Sequence, residues 1–165
     1  MRHVLVAVLV LSLVTAAVGH VMMPDRVASH FGADGRADGW SSKDFFTVLM
    51  VIIDLMMFAM FYWSHVLLER VDARFISLPN REYWLTDANK PAAIAKMRDY
   101  MAEFGVATLL LLMYAKISTI MANAGAEERL NSGVFLWVIL IYLAYTVWWC
   151  VRLMRAYRLP KGEGA

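Results

Sequence analysis

Four runs of about 20 consecutive apolar residues constrain this chain more than any other feature. They cover residues 4–22, 45–68, 101–121 and 133–151. At about 1.5 Å of rise per residue, a helix of this length crosses the hydrocarbon core of a bilayer. Each run is apolar on all sides, so its helix has no polar face to present to water. The runs predict an all-α integral membrane protein with four transmembrane helices, forming a single membrane domain over residues 1–165.

The composition agrees with this fold class and excludes nucleic-acid binding. Hydrophobic residues make up 61% of the chain and charged residues 18%, against about 45–50% and 25% in soluble domains. The 16 basic and 14 acidic residues leave a net charge of +2, which provides no basic field for nucleic acid. The single cysteine, Cys150, excludes an internal disulfide and any multi-cysteine metal site.

Lysine and arginine are unevenly distributed between the segments that connect the helices. If both termini lie on one side of the membrane, eleven of these residues share that side and four lie on the other. Basic residues are retained on the cytoplasmic side. The asymmetry predicts cytoplasmic N and C termini, an outer loop at 23–44 and a cytoplasmic loop at 69–100. The single arginine before the first run favours a retained helix over a cleaved signal peptide.

The outer loop is rich in glycine, aspartate and serine, which favour tight turns over helix. We therefore expect a short ordered loop whose polar residues form a binding face: Asp25, His30, Asp34, Asp38, Trp40 and Lys43. Histidine and aspartate also ligate metals, with His20 as a further candidate. The spacing lacks the alternate acidic positions of a calcium loop, and turn-capping aspartates account for it. We predict neither a metal nor a cofactor.

Asp54 and Lys116 are ionisable residues inside the apolar runs, where each costs about 2.5–3.5 kcal/mol to insert. From the outer surface, Asp54 lies about 13–14 Å deep in the second helix and Lys116 about 8 Å deep in the third. The lysine side chain is long enough to bridge this difference. We predict that the two residues pair inside the bundle. The pair either fixes helix register or belongs to a proton or ion relay.

The cytoplasmic loop contains an aromatic segment, LPNREYWL at 78–85. Its candidate surface residues are Arg81, Tyr83 and Trp84, which suit either the lipid interface or the docking of a cytoplasmic partner. Asp87 or Asn89 is expected to cap a short amphipathic lead-in to the third membrane helix.

Two strings in these loops resemble a known family. They are PDxVxxHFxxxGxxDxWxSK at 24–43 and LPNREYWL at 78–85. Both are similar to segments of a bacterial membrane domain of unknown function that forms the N-terminal part of SdpI-type immunity proteins. Those proteins protect a cell from a secreted toxin peptide. The resemblance implies a multi-pass protein of the bacterial inner membrane and recognition of a peptide at its outer face.

No sequence motif for catalysis is present: the chain has no nucleophile elbow, phosphate-binding glycine loop or zinc-protease motif. We therefore predict a non-enzymatic binding protein, immunity-like or signalling. One alternative is an accessory subunit of a larger membrane complex, and another is a small ion- or proton-coupled transporter. The expected partners are the lipid bilayer together with a membrane protein, a secreted peptide or a second copy of the chain.

Overall fold

The computed structural model describes residues 1–125 and 129–159 of the chain. Its helices are α1 (Arg2–Met22), α2 (Lys43–Arg70), α3 (Arg81–Trp84), α4 (Lys90–Ala124) and α5 (Ser132–Ala156). Two strands, β1 (Arg26–Phe31) and β2 (Ala37–Ser42), lie between α1 and α2, and a short 3-10 helix follows α2 at Ala73–Phe75. Four helices, α1, α2, α4 and α5, are long and apolar enough to cross a membrane. The prediction of a multi-pass membrane protein is thereby confirmed.

Helices α1, α2 and α4 form a closely packed core of three helices. Its buried apolar cluster includes Leu5 of α1, Phe61 of α2 and Ala102 of α4. Gly105 lies beside this cluster, where an added Cβ would come within 2.7 Å of Phe61 Cβ and 3.0 Å of Leu5 Cδ1. The absence of a side chain at position 105 therefore lets the three helices approach each other closely.

Helix α5 packs mainly against α4, and Trp149 is the buried residue of this helix. The Trp149 ring stacks on Phe104 at 4.5 Å between centroids, and its Nε1 donates a hydrogen bond to the Tyr100 carbonyl at 3.2 Å. An ion pair between Arg152 and Glu103 lies in the same half of the interface. Most of the remaining α5 surface is free to face lipid.

The segment between α1 and α2 is an antiparallel β-hairpin with Val27 opposite Ser41 and Phe31 opposite Ala37. The sequence predicted an ordered loop of tight turns here, so the all-α description is wrong for residues 26–42. These strands are short, and an isolated two-stranded hairpin is at best marginally stable in water. Val27 is fully buried in a cluster with Met23, Phe46 and Ile120 at the helix ends. Tertiary packing, which no local periodicity reveals, therefore holds the hairpin together.

The helices extend beyond the predicted apolar runs at most of their ends. The run at 101–121 lies in the C-terminal two thirds of α4, and the predicted lead-in belongs to the same continuous helix, which has proline in its first turn. Proline is favourable there because its missing N–H would be unpaired anyway. Helix α2 likewise begins at Lys43 and reaches Arg70, so the predicted loops at 23–44 and 69–100 shorten to 23–42 and 71–89.

Candidate functional site

The hairpin is bound to the membrane helices by Asn123, a buried residue at the end of α4. The Ala28 backbone N–H donates to Asn123 Oδ1 at 2.7 Å, and Asn123 Nδ2 donates to the Ala28 carbonyl at 3.0 Å. The asparagine amide thus pairs with the backbone of β1 in the way that a neighbouring strand would. Sequence analysis missed Asn123, because an asparagine near a helix end is an ordinary feature of helix termini.

The tip of the hairpin is joined to the segment before α5. The Leu130 N–H donates to the Gly35 carbonyl at 2.8 Å, and Arg36 and Arg129 form an antiparallel bridge. Gly35 has a φ of 81°, and an added Cβ would lie 2.1 Å from the Leu130 carbonyl oxygen. Only glycine fits this position without strain. The hairpin is therefore attached at both its base and its tip.

The six predicted outer-loop residues all lie on or beside this hairpin, mostly as neighbouring pairs. His30 Nδ1 hydrogen-bonds Asp38, and Lys43 forms an ion pair with Asp25 at 2.7 Å. The hydrogen bond and charge of the Lys43 ammonium hold the pKa of the Asp25 carboxyl below its usual value. The Arg26 guanidinium covers the Trp40 ring at 4.9 Å, and Trp40 is 42% exposed.

Asp34 caps the hairpin turn by accepting a hydrogen bond from the Arg36 N–H at 3.1 Å. His20 contacts Thr47 instead of the hairpin, with a distance of 3.2 Å between Nδ1 and the hydroxyl oxygen. Within residues 1–125 and 129–159, no three histidine, cysteine or acidic side chains cluster in a way that could hold a metal ion. The polar side chains of the hairpin thus interact mainly with one another and with the adjacent backbone.

A cleft of about 540 Å³ lies beneath the hairpin, between α4 and α5. Ser29, His30 and Ser132 line it with polar atoms, whereas Phe135 and Ile139 of α5 are among its apolar lining residues. The cleft connects the polar hairpin to the apolar surface of the helices.

Asp54 and Lys116 form an ion pair between α2 and α4, and Ser12 of α1 completes a three-residue polar cluster. All three residues are at most 2% exposed. Lys116 Nζ donates to the Ser12 hydroxyl at 2.6 Å and to the Ser12 carbonyl at 3.0 Å, while the Ser12 hydroxyl donates to Asp54 Oδ2 at 3.0 Å. Asp54 Oδ1 is buried with no hydrogen-bond partner in the described part of the chain. The cluster therefore contains one carboxylate oxygen that is buried and has no hydrogen-bond donor among the described residues.

Sequence analysis missed Ser12 because serine in an apolar run is neither charged nor unusual. A signal was nonetheless present. Ser12 lies on the same helical stripe as Leu5, Leu9 and Ala16, which are all buried. A polar residue on a buried apolar stripe requires a hydrogen-bond partner from another helix.

The aromatic segment at 78–85 holds the end of α5 in place. Trp84 Nε1 and Asn80 Nδ2 both donate to the Tyr157 carbonyl at 2.9 Å, and the Tyr157 hydroxyl donates to the Ala93 carbonyl at 2.8 Å. Burial raises the pKa of Tyr157 above its usual value of 10.0. Of the three predicted surface residues, Trp84 is only 8% exposed and is part of this packing, so it offers no docking surface. Tyr83 is half-buried and Arg81 is exposed.

Residues 7–57 match the model of a family described as a domain of unknown function, DUF1648. The matched segment contains most of α1, the whole hairpin, Ser12 and Asp54. Lys116 and Asn123 lie outside it. No curated protein and no solved structure matches the chain. The chain is therefore a multi-pass membrane protein that contains a segment matching a domain of unknown function.

Proposed function

We propose that this chain is a non-enzymatic binding protein of the bacterial inner membrane, SdpI-like in its two loop strings. It presents the β-hairpin at the outer face to a partner such as a secreted peptide. The cytoplasmic termini follow from the excess of lysine and arginine on the side opposite the hairpin.

The observation that carries the proposal is the attachment of the hairpin by Asn123 at its base and Leu130 at its tip. A surface fixed in advance loses little conformational entropy when a partner binds. The exposed Trp40 ring and the His30–Asp38 pair provide an aromatic group and polar groups that can donate and accept hydrogen bonds. Tryptophan is enriched among the residues that dominate binding energy at protein interfaces.

The proposal is tested by affinity purification from native membranes in mild detergent, with mass spectrometry of co-eluting species. The variants are the wild type, the double variant His30→Ala/Trp40→Ala, and Arg155→Gln as a control at the other end of the molecule. Binding through the hairpin predicts a stoichiometric partner that is lost from the double variant and retained by the control.

A partner retained by the double variant contradicts the hairpin proposal and favours the accessory-subunit alternative. The exposed apolar face of α5, with Trp137 at 67% and Ile141 at 66% exposure, is then the surface to change. The double variant Trp137→Ala/Ile141→Ala distinguishes this case, because it removes an α5 contact and leaves the hairpin intact.

The polar cluster of Ser12, Asp54 and Lys116 favours a second candidate function, proton-coupled transport. Buried ionisable residues in membrane helices often mark ion or proton pathways, and Asp54 Oδ1 has no hydrogen-bond partner within the described residues. Glu103, an acidic residue of α4 nearer the opposite end of the bundle, pairs with Arg152 at the α4–α5 interface. A relay would therefore depend on the Asp54 carboxylate itself.

Proton flux in proteoliposomes tests this candidate. Asp54→Asn removes the titratable group but keeps the size of the side chain, and Ser12→Ala removes a hydrogen bond but leaves the carboxylate. Transport predicts flux in the wild type, its loss in Asp54→Asn and partial retention in Ser12→Ala. Absence of flux in the wild type, or equal flux in Asp54→Asn, contradicts it.

A further inference from the structure

The end of the three-helix core that lies away from the hairpin contains basic side chains whose buried nitrogens lack partners. Among the described residues, five buried side-chain polar atoms have no hydrogen-bond partner. Three of them are nitrogens of basic residues: Arg2 Nε, His65 Nδ1 and Arg98 Nε. Such atoms are rare in folded proteins because each unpaired group costs about 1–3 kcal/mol. Their concentration at one end requires a physical explanation.

These residues occupy equivalent positions on the three core helices. Leu5, Phe61 and Ala102 pack together in the buried cluster. Arg2 lies three residues before Leu5, His65 four residues after Phe61, and Arg98 four residues before Ala102. Residues three or four apart share a helix face. All three basic residues therefore lie one helical turn beyond the same apolar layer, toward the same end of the bundle.

Among the described residues, this basic layer has one aromatic partner, Tyr62, and one acidic partner, Asp99. The Arg2 guanidinium lies over the Tyr62 ring, 3.8 Å from its centroid. Arg98 Nε is 3.7 Å from Asp99 Oδ1, which is beyond hydrogen-bond distance, and the Asp99 side chain is 59% exposed. Arginine carries a positive charge in proteins. The layer thus combines two positive charges with three nitrogen atoms that have no hydrogen-bond partner among the described residues.

We propose that Arg2, His65 and Arg98 form a binding site for a phosphate group, and that anionic lipid headgroups are its occupants. Guanidinium groups match the geometry and charge of phosphate. The site lies where the apolar segments of α1 and α2 end, the depth at which lipid headgroups lie. Basic pockets between membrane helices bind anionic headgroups in this way. A bound phosphate accepts hydrogen bonds from the guanidinium groups and neutralises the local charge.

The test measures Tm by tryptophan fluorescence for the full chain in detergent micelles. Separate samples contain phosphatidylglycerol, phosphatidylcholine or inorganic phosphate alone. The variants are Arg2→Gln, Arg98→Gln and His65→Phe, and the control is Arg155→Gln, which removes an exposed charge from α5 near the same end of the bundle. Native mass spectrometry of the same samples counts retained lipids, so a variant with a lowered Tm still gives a reading.

Phosphatidylglycerol is expected to raise the Tm of the wild type and the control, with no shift from phosphatidylcholine. Each single substitution removes one charge-assisted hydrogen bond. About tenfold more lipid is therefore expected to be needed for the same rise in Tm. If inorganic phosphate reproduces the shift and the variants lose it, the site binds phosphate and the lipid is not required. Equal shifts in all variants, or no shift in the wild type, overturn the proposal.

Discussion

The side-chain amide of Asn123 pairs with both backbone hydrogen-bonding groups of Ala28, 95 residues earlier in the chain. This contact links the end of α4 to the base of the hairpin. The same amide also donates to the Thr119 carbonyl at 2.9 Å within α4, which fixes its orientation. One buried asparagine therefore contributes two of the hydrogen bonds that fix the polar hairpin on the membrane helices.

Replacing Asn123 by leucine is expected to loosen the attachment of the hairpin to α4. The substitution leaves the Ala28 N–H and carbonyl without partners, at about 1–3 kcal/mol for each buried group. Hydrogen exchange of the amides at 26–42 should accelerate, and Tm should fall. Asn89→Ala is the control, because Asn89 bonds the Tyr83 carbonyl at the other end of the molecule. Unchanged exchange at 26–42 in Asn123→Leu would show that the hairpin is held by other contacts.

The ion pair of Asp54 and Lys116 predicts that a single substitution lowers stability much more than the double substitution does. Lys116→Met leaves the Asp54 carboxylate buried without a neighbouring positive charge, which costs about 3–5 kcal/mol. Adding Asp54→Leu removes the orphaned charge and should restore much of that stability. Unfolding in mixed micelles measures the difference. A double variant as unstable as Lys116→Met would mean that the pair does not behave as a coupled unit.

Gly105 and Gly133 offer a matched comparison of two helical glycines. A Cβ at position 105 would lie 2.7 Å from Phe61 Cβ, whereas a Cβ at position 133 would have its nearest neighbour, Asn131 Oδ1, at 3.6 Å. Gly105→Ala should lower stability by about 1–3 kcal/mol through overpacking. Gly133→Ala should be neutral or stabilising by up to about 1 kcal/mol, because alanine favours helix. Equal effects at the two sites would contradict the close approach at Gly105.

Tyr157 predicts a pH dependence in the alkaline range. Its pKa is raised above the usual value of 10.0 by burial, so the folded state holds the phenol proton more tightly than the unfolded state does. The resulting stabilisation is complete below about pH 10 and is lost as pH rises above it. Tyr157→Phe loses the hydrogen bond to Ala93, so it should be less stable at neutral pH. Above pH 10 its stability should fall less steeply than that of the wild type, as measured by denaturant unfolding at several pH values. Parallel curves for the two proteins would contradict this assignment.

Labelling of single cysteines tests the proposed orientation. In a Cys150→Ala background, Ser29→Cys places an exposed thiol on the hairpin and Ser77→Cys places one beyond α2. A membrane-impermeant maleimide should label the first in intact cells and the second only after permeabilisation. The reverse pattern would place the hairpin in the cytoplasm and overturn the outer-face proposal.

Two features could be predicted from the sequence because they depend on local composition. A run of apolar residues long enough to cross a bilayer forms a membrane helix almost regardless of its neighbours. Asp54 and Lys116 were conspicuous because an unpaired charge is costly at that depth, and the depth of each residue follows from simple counting along the helix.

The tertiary structure alone decided the contacts between residues far apart in sequence. The hairpin strands are short, and they persist because Val27 is buried against the helix ends and Asn123 pairs with Ala28. Trp84 looked like a surface aromatic residue, yet it is buried against Tyr157, 73 residues away. Such contacts depend on the rotation and depth of several helices at once. The sequence by itself therefore determined which segments enter the membrane, whereas packing determined which polar groups meet there and at its edges.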